Sequence, residues 1–271
     1  MKVKDIDQSQ FLSGFENALN ERLKGAEGIL GEGMRYAMLD GGKRVRPLCV
    51  YFGAKAVGGE ADINAVVLLA LAIEFVHGYS LVHDDLPAMD NDDFRRGKLS
   101  VHKKFGHANG ILIGDQLLTY AMNIMCEGCE RYGDTFARSA RIIARGAMDM
   151  ANGQALDLQG CKNKDEFLTM YAKKTGALIY SAFTAGATLA NADGDALVAV
   201  EEFAKSVGLA FQLADDVLDI GEKGSILDVI SENEARALLA EQSQKACEYA
   251  ENLKCPHELQ TFVKRLEQRR K

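Results

Sequence analysis

Four long apolar segments with helical rather than strand periodicity constrain the fold of this 271-residue chain. They read AVVLLALAIEFVHGYSLV, ILIGDQLLTYAMNIM, ALIYSAFTAGATLA and FAKSVGLAFQLADDVLD, and each is apolar on nearly every face. A helix that is apolar all round is a buried helix, because it has no polar face to turn toward water. Several such helices, with more polar ones outside them, predict an all-α bundle whose centre is walled by helices.

Turn residues divide the chain into predicted helices. Glycine pairs at 41–42 and 58–59 and the Asp-Gly pair at 193–194 interrupt the periodic stretches. Leu86 precedes Pro87, and the residue before a proline disfavours helical geometry, so one helix should end at Asp85. The predicted helices cover residues 9–24, 28–39, 43–58, 62–85, 110–131, 133–152, 165–172, 174–190, 194–220, 232–253 and 257–270.

The composition is that of an ordinary soluble domain, with 47% hydrophobic and 26% charged residues. The net charge of −7 gives no basic surface for nucleic acid. The N-terminus lacks the apolar core of a secretory signal, and the longest clean apolar run, Val66 to Ile73, is too short to span a bilayer. Because there are three prolines and no polar linker, the sequence predicts one domain over residues 1–271, located in the cytoplasm without a membrane span.

Two acidic clusters each end one of the apolar segments. The first, DDLPAMD, contains Asp84, Asp85 and Asp90, and the second, DDVLD, contains Asp215, Asp216 and Asp219. A helix C-terminus already carries negative potential, so carboxylates gathered there stay ionised only beside cations. Mg²⁺ takes oxygen ligands and shares its shell with substrate phosphates. A solvated acidic turn remains the alternative for either cluster alone, whereas the pair predicts magnesium sites.

Basic residues form a second pattern. The stretch GGKRVRP places Lys43, Arg44 and Arg46 at a predicted helix start, where backbone N–H groups favour a phosphate. Arg95 and Arg96 follow the first acidic cluster, and arginine matches phosphate geometry with two parallel donors. Surface ion pairing is the alternative for any single cation. Together, the two patterns predict two anionic ligands, one held through metals and one held directly by Lys and Arg.

The stretches GGKRVRP, EFVHGYSLVHDDLPAMDNDDFRRGK, GDQLLTYA, KKTGALI and FQLADDVLD together carry a resemblance. In order and combination they resemble the trans-polyprenyl diphosphate synthases, most closely the bacterial farnesyl diphosphate synthases. The resemblance implies an isoprenoid-synthase-type helical bundle around a deep central cavity, assembled as a homodimer. It also implies that an allylic diphosphate (dimethylallyl or geranyl) condenses with isopentenyl diphosphate to give farnesyl diphosphate, through magnesium-assisted ionisation, condensation and elimination.

The resemblance also implies roles for individual residues. About three Mg²⁺ ions, with Mn²⁺ as a substitute, would bind the six aspartates Asp84, Asp85, Asp90, Asp215, Asp216 and Asp219. Isopentenyl diphosphate would bind Gly42, Lys43, Arg46, His77 and Arg96. The allylic diphosphate or its reaction centre would contact Arg95, Lys174, Phe211 and Gln212. Thr175 would stabilise the allylic carbocation that forms when the diphosphate leaves. The catalytic set is then Asp84, Lys174, Thr175, Gln212 and Asp215.

Product length in this family depends on the residue five positions before the first aspartate. Here that residue is Tyr79, followed by Ser80, and a large aromatic side chain resembles the fifteen-carbon enzymes. The alternative is a packed core tyrosine whose hydroxyl has its own partner.

The sequence departs from the family after the second acidic cluster. The family carries a longer loop with a Gly-Lys pair, whereas here only Ile220 to Gly224 precede SILDVI, which leaves Lys223 as the candidate lysine. A true shortening and a segment missing from this sequence are both open. The basic ending QRRK, Gln268 to Lys271, resembles farnesyl-type enzymes, with a solvated tail as the alternative.

Three other functions stay open at the level of sequence. A geranyl or geranylgeranyl diphosphate synthase would differ only in product length. A non-catalytic partner subunit of such a synthase would be expected to lose metal-binding aspartates, and both clusters are intact here. A class I terpene cyclase also ionises a diphosphate with Mg²⁺, but it has no need of the second anion site formed by GGKRVRP and His77.

Overall fold

The computed structural model describes residues 1–39, 41–221 and 224–267. The α-helices in these residues are α1 Gln8–Lys24, α2 Gly28–Leu39, α3 Val45–Ala56, α4 Ile63–Asp84, α5 Val101–Phe105, α6 His107–Gln159, α7 Lys164–Tyr171, α8 Ala177–Leu189, α9 Gly194–Leu218, α10 Glu232–Ala250 and α11 Pro256–Glu267. A two-stranded antiparallel hairpin, β1 Phe94–Arg95 and β2 Lys98–Leu99, interrupts them. The all-α prediction is confirmed. The predicted roles of Lys223 and of residues 268–271 lie outside the described residues.

The bundle is built around α4, which packs most extensively against α6 and also contacts α1, α2, α3 and α8. The side chain of Asp62 caps its first turn by accepting a hydrogen bond from the backbone nitrogen of Asn64, at 2.9 Å. Helix α8 joins the core from the other side, packing on α3, α6 and α9. A smaller apolar cluster, which includes Tyr171, Leu213 and Ile226, lies under the C-terminal end of α9.

Helix α6 is interrupted at Gly133, whose φ of 68° and ψ of −151° are not helical, so the predicted division into segments 110–131 and 133–152 is confirmed. The first of its two parts begins at residue 107. The predicted end at residue 152 was wrong, because the helix continues through a close contact at Gly153. A Cβ atom there would lie 2.1 Å from the backbone nitrogen of Lys174, so only glycine fits.

Several short elements were not predicted, among them a π-helical turn, the hairpin and helix α5. Segments 165–172 and 174–190 are joined by a π-helical turn, Ala172–Gly176, where we expected a break. The hairpin strands are two residues long and show no alternating pattern, and their turn is formed by Arg96 and Gly97 at positive φ. Helix α5 has only five residues, fewer than a periodic pattern requires.

One helix of the described residues, α4, is long and apolar enough to cross a membrane by length and composition alone. It is longer than the run Val66 to Ile73 because its helical geometry continues past Glu74 and His77. Of its most apolar window, 72% is buried within the fold, as is typical of the core helix of a bundle.

Candidate active site

A cavity of about 410 Å³ opens between α4, α6 and the π-helical turn. This volume lies within the usual range for small-molecule sites. It brings together seven of the residues predicted from sequence: Arg46, His77, Tyr79, Ser80, Asp84, Lys174 and Thr175. Apolar side chains, among them Met150 and Leu158, complete the wall. The cavity is therefore charged at some points and apolar over the rest, as expected for a ligand with a charged head and a hydrocarbon tail.

Asp84 is the last residue of α4 and carries an unfavourable negative charge. Burial raises the pKa of its carboxyl to about 6, with a further increase from the nearby Asp90, although the ammonium of Lys174 acts in the opposite direction. The backbone nitrogen of Asp90 donates to the carbonyl of Asp84 at 2.9 Å, which folds the acidic loop back over the helix end. Burial makes the ionised form of Asp84 unfavourable, and a bound cation would stabilise it.

Asp85 differs from its neighbour in having a charged partner. Its carboxylate is 1% exposed and accepts hydrogen bonds from Nε of Arg95, at 2.9 and 2.8 Å, and from Nη2 of Arg95, at 2.6 Å. Such a two-pronged, charge-assisted pair is strong and directional. The pair fixes the guanidinium of Arg95, which is carried by β1, beside the acidic loop. The role of Asp85 as a metal ligand stays a prediction.

The second cluster lies at the end of α9, where Asp215 and Asp219 are half-buried and Asp216 is 5% exposed. Asp216 accepts hydrogen bonds from the hydroxyl of Tyr171, from Nε2 of Gln212 at 3.1 Å and from the backbone nitrogen of Ile226 at 3.4 Å. These donors are neutral. The role of Asp216 as a metal ligand also stays a prediction.

A relay of hydrogen bonds connects this cluster to the cavity. The hydroxyl of Thr175 donates to Oε1 of Gln212 at 2.8 Å, and the amide nitrogen of Gln212 then donates to Asp216. Because Thr175 gives its only proton to Gln212, its oxygen lone pairs stay available on the cavity side. Phe211, half-buried, packs against the main core one residue earlier.

Basic residues gather around His77. Nη1 of Arg46 contacts Nε2 of His77 at 3.1 Å, and since arginine only donates, that ring nitrogen accepts and the proton lies on Nδ1. Burial, followed by the positive charges of Arg46 and Arg96, lowers the pKa of His77 well below its usual value, so the ring is neutral. Nε of Arg46 and Nδ1 of His77 have no hydrogen-bond partner in the part of the chain that the structure describes. Unpaired donors and crowded cations favour an anion.

The glycine pair before α3 shapes the entrance to this basic group. Nη1 of Arg96 donates to the carbonyl of Gly41 at 2.8 Å. Gly42, with φ 126°, packs against Arg96, where a Cβ atom would come within 3.2 Å of the guanidinium. Lys43 is exposed beside them. The predicted anion-binding residues are thus close in the fold.

Arg44, by contrast, is occupied by the protein. It is 6% exposed, forms ion pairs with Glu16 at 2.6 Å and Glu74 at 2.9 Å, and donates to the carbonyl of Met38 at 2.8 Å. It also stands at the N-cap of α3 with φ 46°. Its contacts anchor the turn that presents its neighbours Lys43 and Arg46.

Sequence reasoning missed Gln154, Asp157 and Tyr171. Asp157 pairs with the ammonium of Lys174, and Gln154 is one of the residues that line the cavity. Both lie beyond residue 152, where we had ended the helix. The available signal was a glutamine and an aspartate three residues apart on the same apolar face as Met150.

The donor set fits a divalent cation that completes its shell with substrate oxygens. No group of three or more His, Cys, Asp or Glu side chains meets at metal-binding spacing within residues 1–39, 41–221 and 224–267. Mg²⁺ needs no such cage, because it binds one or two carboxylates together with waters and substrate phosphates. Asp84, whose carboxyl pKa is raised first by burial and then by Asp90, is a carboxylate that such a cation would stabilise.

Comparisons with known proteins agree with this geometry. The polyprenyl synthetase family model matches residues 27–232. The chain is 41% identical to the farnesyl diphosphate synthase of Geobacillus stearothermophilus, over 80% of this chain and 77% of that one. It is 43% identical to the farnesyl diphosphate synthase of Escherichia coli, over 70% of this chain and 65% of the relative.

Relatives with other product names and a solved structure extend the comparison. Geranylgeranyl pyrophosphate synthase 7 of Arabidopsis thaliana is 34% identical over 79% of this chain and 65% of its own length. The crystal structure of an FPP/GFPP synthase from Zymomonas mobilis superposes with a TM-score of 0.86 at 31% identity, covering 94% of this chain and 95% of that one. The chain therefore belongs to the polyprenyl synthetase family.

Proposed function

We propose that this protein is a magnesium-dependent farnesyl diphosphate synthase. It condenses dimethylallyl or geranyl diphosphate with isopentenyl diphosphate. The observation that carries the proposal is one largely apolar cavity lined both by the half-buried carboxylate of Asp84 and by Arg46 with its hydrogen-bonded neighbour His77. A hydrolase or a cyclase acts on one diphosphate. It therefore does not need two anion sites in one cavity, one acidic and metal-dependent and the other basic.

In this proposal the allylic diphosphate binds at the acidic end. Asp84, Asp90 and Asp215 hold it through metal ions, while Arg95 and Lys174 contact it directly. Their pairing with Asp85 and Asp157 keeps both cations in place before the substrate arrives. When bound, Mg²⁺ neutralises the diphosphate oxygens and makes the group a better leaving group. Asp219 adds charge to the same end, and Asp85 and Asp216, besides their predicted metal contacts, position Arg95 and Gln212.

Isopentenyl diphosphate binds at the basic end. Arg46, Arg96 and Lys43 supply the charge, and the unpaired Nδ1–H of His77 donates to a diphosphate oxygen. Gly42 contributes a close backbone approach. Because His77 is neutral, it adds a directed hydrogen bond and leaves the charge balance unchanged.

The apolar wall between the two sites protects the allylic carbocation from water. The lone pairs of Thr175 face the cavity, and a π-helical turn such as 172–176 also moves backbone carbonyls out of the usual helical ladder. These oxygens stabilise the allylic cation electrostatically until the double bond of isopentenyl diphosphate attacks it. The released diphosphate then takes the proton, so no protein nucleophile is needed.

Tyr79 and Ser80 line the same cavity and are proposed to limit product length. The ring of Tyr79 packs edge-on against His83, with centroids 5.7 Å apart, which holds the ring in place. Replacing Tyr79 by alanine should shift the product from fifteen to twenty carbons or more, measured by chromatography of the dephosphorylated prenols. An unchanged distribution would place the limit elsewhere.

We also propose a cytoplasmic homodimer of single-domain chains. Large apolar side chains are exposed on the first part of α6, namely Ile111, Leu112 and Met122. Large apolar side chains exposed together on one helix are typical of an interaction surface. Light scattering coupled to size exclusion tests the assembly.

Incubation of the purified protein with isopentenyl and dimethylallyl diphosphates and Mg²⁺ tests the activity. We expect a fifteen-carbon diphosphate, abolished by EDTA. A released hydrocarbon would favour the terpene cyclase, and a twenty-carbon diphosphate would favour a geranylgeranyl diphosphate synthase. If the homodimer shows no turnover, the non-catalytic subunit is favoured.

A further inference from the structure

Gln154 has a buried amide to which the structure assigns no protein partner. The residue is 8% exposed, and both its Oε1 and its Nε2 lack hydrogen-bond partners among the described residues. Two polar side chains on the π-helical turn opposite it are paired within the protein, Lys174 with Asp157 and Thr175 with Gln212. A buried amide with both ends unpaired is unfavourable in the protein alone, which suggests that a ligand completes it.

The backbone places Gln154 beside the π-helical turn that carries Lys174 and Thr175. The preceding residue, Gly153, packs closely against the backbone of Lys174, so α6 and this turn are in contact there. Met150 and Leu158 lie one turn before and one turn after Gln154, and both are apolar. Gln154 is therefore an isolated polar group in the part of the α6 wall that faces Thr175.

We propose that Gln154 is a catalytic residue that contacts the allylic substrate directly, its amide oxygen facing the carbon that loses diphosphate and its amide nitrogen donating to the departing diphosphate. The inference rests on the proposed function. When the carbon–oxygen bond breaks, its electron pair leaves with the diphosphate, and the carbon becomes positive. The amide dipole then has its negative end toward the cation and its positive end toward the anion.

This orientation stabilises the separated charges more than the intact substrate. Because the dipole is already fixed in an apolar wall, no reorganisation accompanies ionisation. Glutamate at the same position would repel the diphosphate, since Asp84 and Asp157 already lie nearby. A neutral amide supplies both an acceptor and a donor without adding charge.

The test compares Gln154→Met with a matched control, Ser243→Ala. Methionine keeps the length and apolar volume of glutamine while removing both polar atoms. Ser243 is also buried, at 5% exposure, with an unpaired Oγ in the described chain, but it lies on α10 away from the cavity. Removing an unpaired buried polar atom should leave the melting temperature unchanged or raise it in both variants.

The two variants should differ in activity. For Gln154→Met we expect kcat to fall about 100-fold, the scale of losing one preorganised hydrogen-bonding group, with KM for isopentenyl diphosphate little changed. Affinity for the unreactive geranyl thiolodiphosphate should fall several-fold, because one donor to the diphosphate is lost. Ser243→Ala should keep the wild-type kcat.

Each other outcome has one meaning. Wild-type kcat in a folded Gln154→Met variant overturns the inference. The inference is also overturned if the variant melts well below the wild type while its folded fraction keeps full activity per active site. Gln154 would then contribute only to packing. If Gln154→Met does not fold, Gln154→Glu, which matches the shape, takes its place and must lose both kcat and affinity for the analogue. A wild-type protein that forms no prenyl diphosphate defeats the proposed function instead.

Discussion

The two aspartate pairs, Asp84–Asp85 and Asp215–Asp216, both lie near a helix C-terminus but differ in how the protein neutralises them. In each pair the second aspartate is buried, with Asp85 1% and Asp216 5% exposed. Asp85 is held by the guanidinium of Arg95, whereas Asp216 is held by the neutral donors of Tyr171, Gln212 and Ile226. The first of each pair, Asp84 or Asp215, is only half-buried.

The difference separates two ways of placing a carboxylate at a helix end. An ion pair brings a cation, Arg95, next to the acidic loop, where an anionic substrate can also use it. Neutral hydrogen bonds instead connect Asp216 to Gln212 and, through it, to Thr175 on the cavity wall. In the first cluster the buried Asp85 therefore positions the charged guanidinium of Arg95. In the second cluster the buried Asp216 positions the neutral side chains of Gln212 and Thr175.

The largest effect should come from the half-buried members. Asp84→Ala and Asp215→Ala are each expected to lower kcat about a thousand-fold or more, because metal-assisted departure of diphosphate is lost. Circular dichroism should show folded proteins. Asp134→Ala, an exposed aspartate on α6, serves as the control and should keep full activity. Near-wild-type activity in either variant would refute the metal assignment of that residue.

The sequence predicts the ends of α4 and α9 well and the orientation of the paired aspartates not at all. Consecutive helical residues point about 100° apart, so either member of a pair can face the cavity. The choice is made by partners distant in sequence, since Tyr171 lies 45 residues before Asp216. The cavity wall beyond residue 152 was missed for a related reason, because only the tertiary contact at Gly153 shows that the helix continues.

The two buried aspartates, Asp85 and Asp216, should differ in how much their replacement lowers the free energy of unfolding. Asp216→Ala leaves the side chains of Tyr171 and Gln212 without their acceptor and should lower the free energy of unfolding by about 3 kcal/mol. Asp85→Ala should lower it by only about 1 kcal/mol, because Arg95 is 33% exposed and can reach water. Urea denaturation measures both. A larger loss for Asp85→Ala would reverse the distinction between the two clusters.

The pH dependence of the metal-free protein isolates Asp84. Its pKa is about 6 when folded and near 4 when unfolded, so between these values the folded state binds more protons and stability falls as pH rises. Asp84→Asn removes the penalty and should stabilise the protein at pH 8 by on the order of 2 kcal/mol, with no difference at pH 4. Thermal melts in EDTA at several pH values measure this. Equal curves for the two proteins would mean that Asp84 is not held in an unfavourable environment.

The smallest effect should come from Tyr171→Phe, which tests whether the neutral network acts as a unit. The hydroxyl of Tyr171 donates to Asp216 and accepts from the backbone nitrogen of Ile226 at 2.8 Å. Its removal leaves Ile226 a longer bond to Asp216, at 3.4 Å, so the loss of stability should be only about 1 kcal/mol. If the network orients Thr175, kcat should also fall a few-fold, with KM for isopentenyl diphosphate unchanged because the basic site is not connected to it. A stability loss without any change in kcat would confine the network to packing under α9 and leave Thr175 oriented by Gln212 alone.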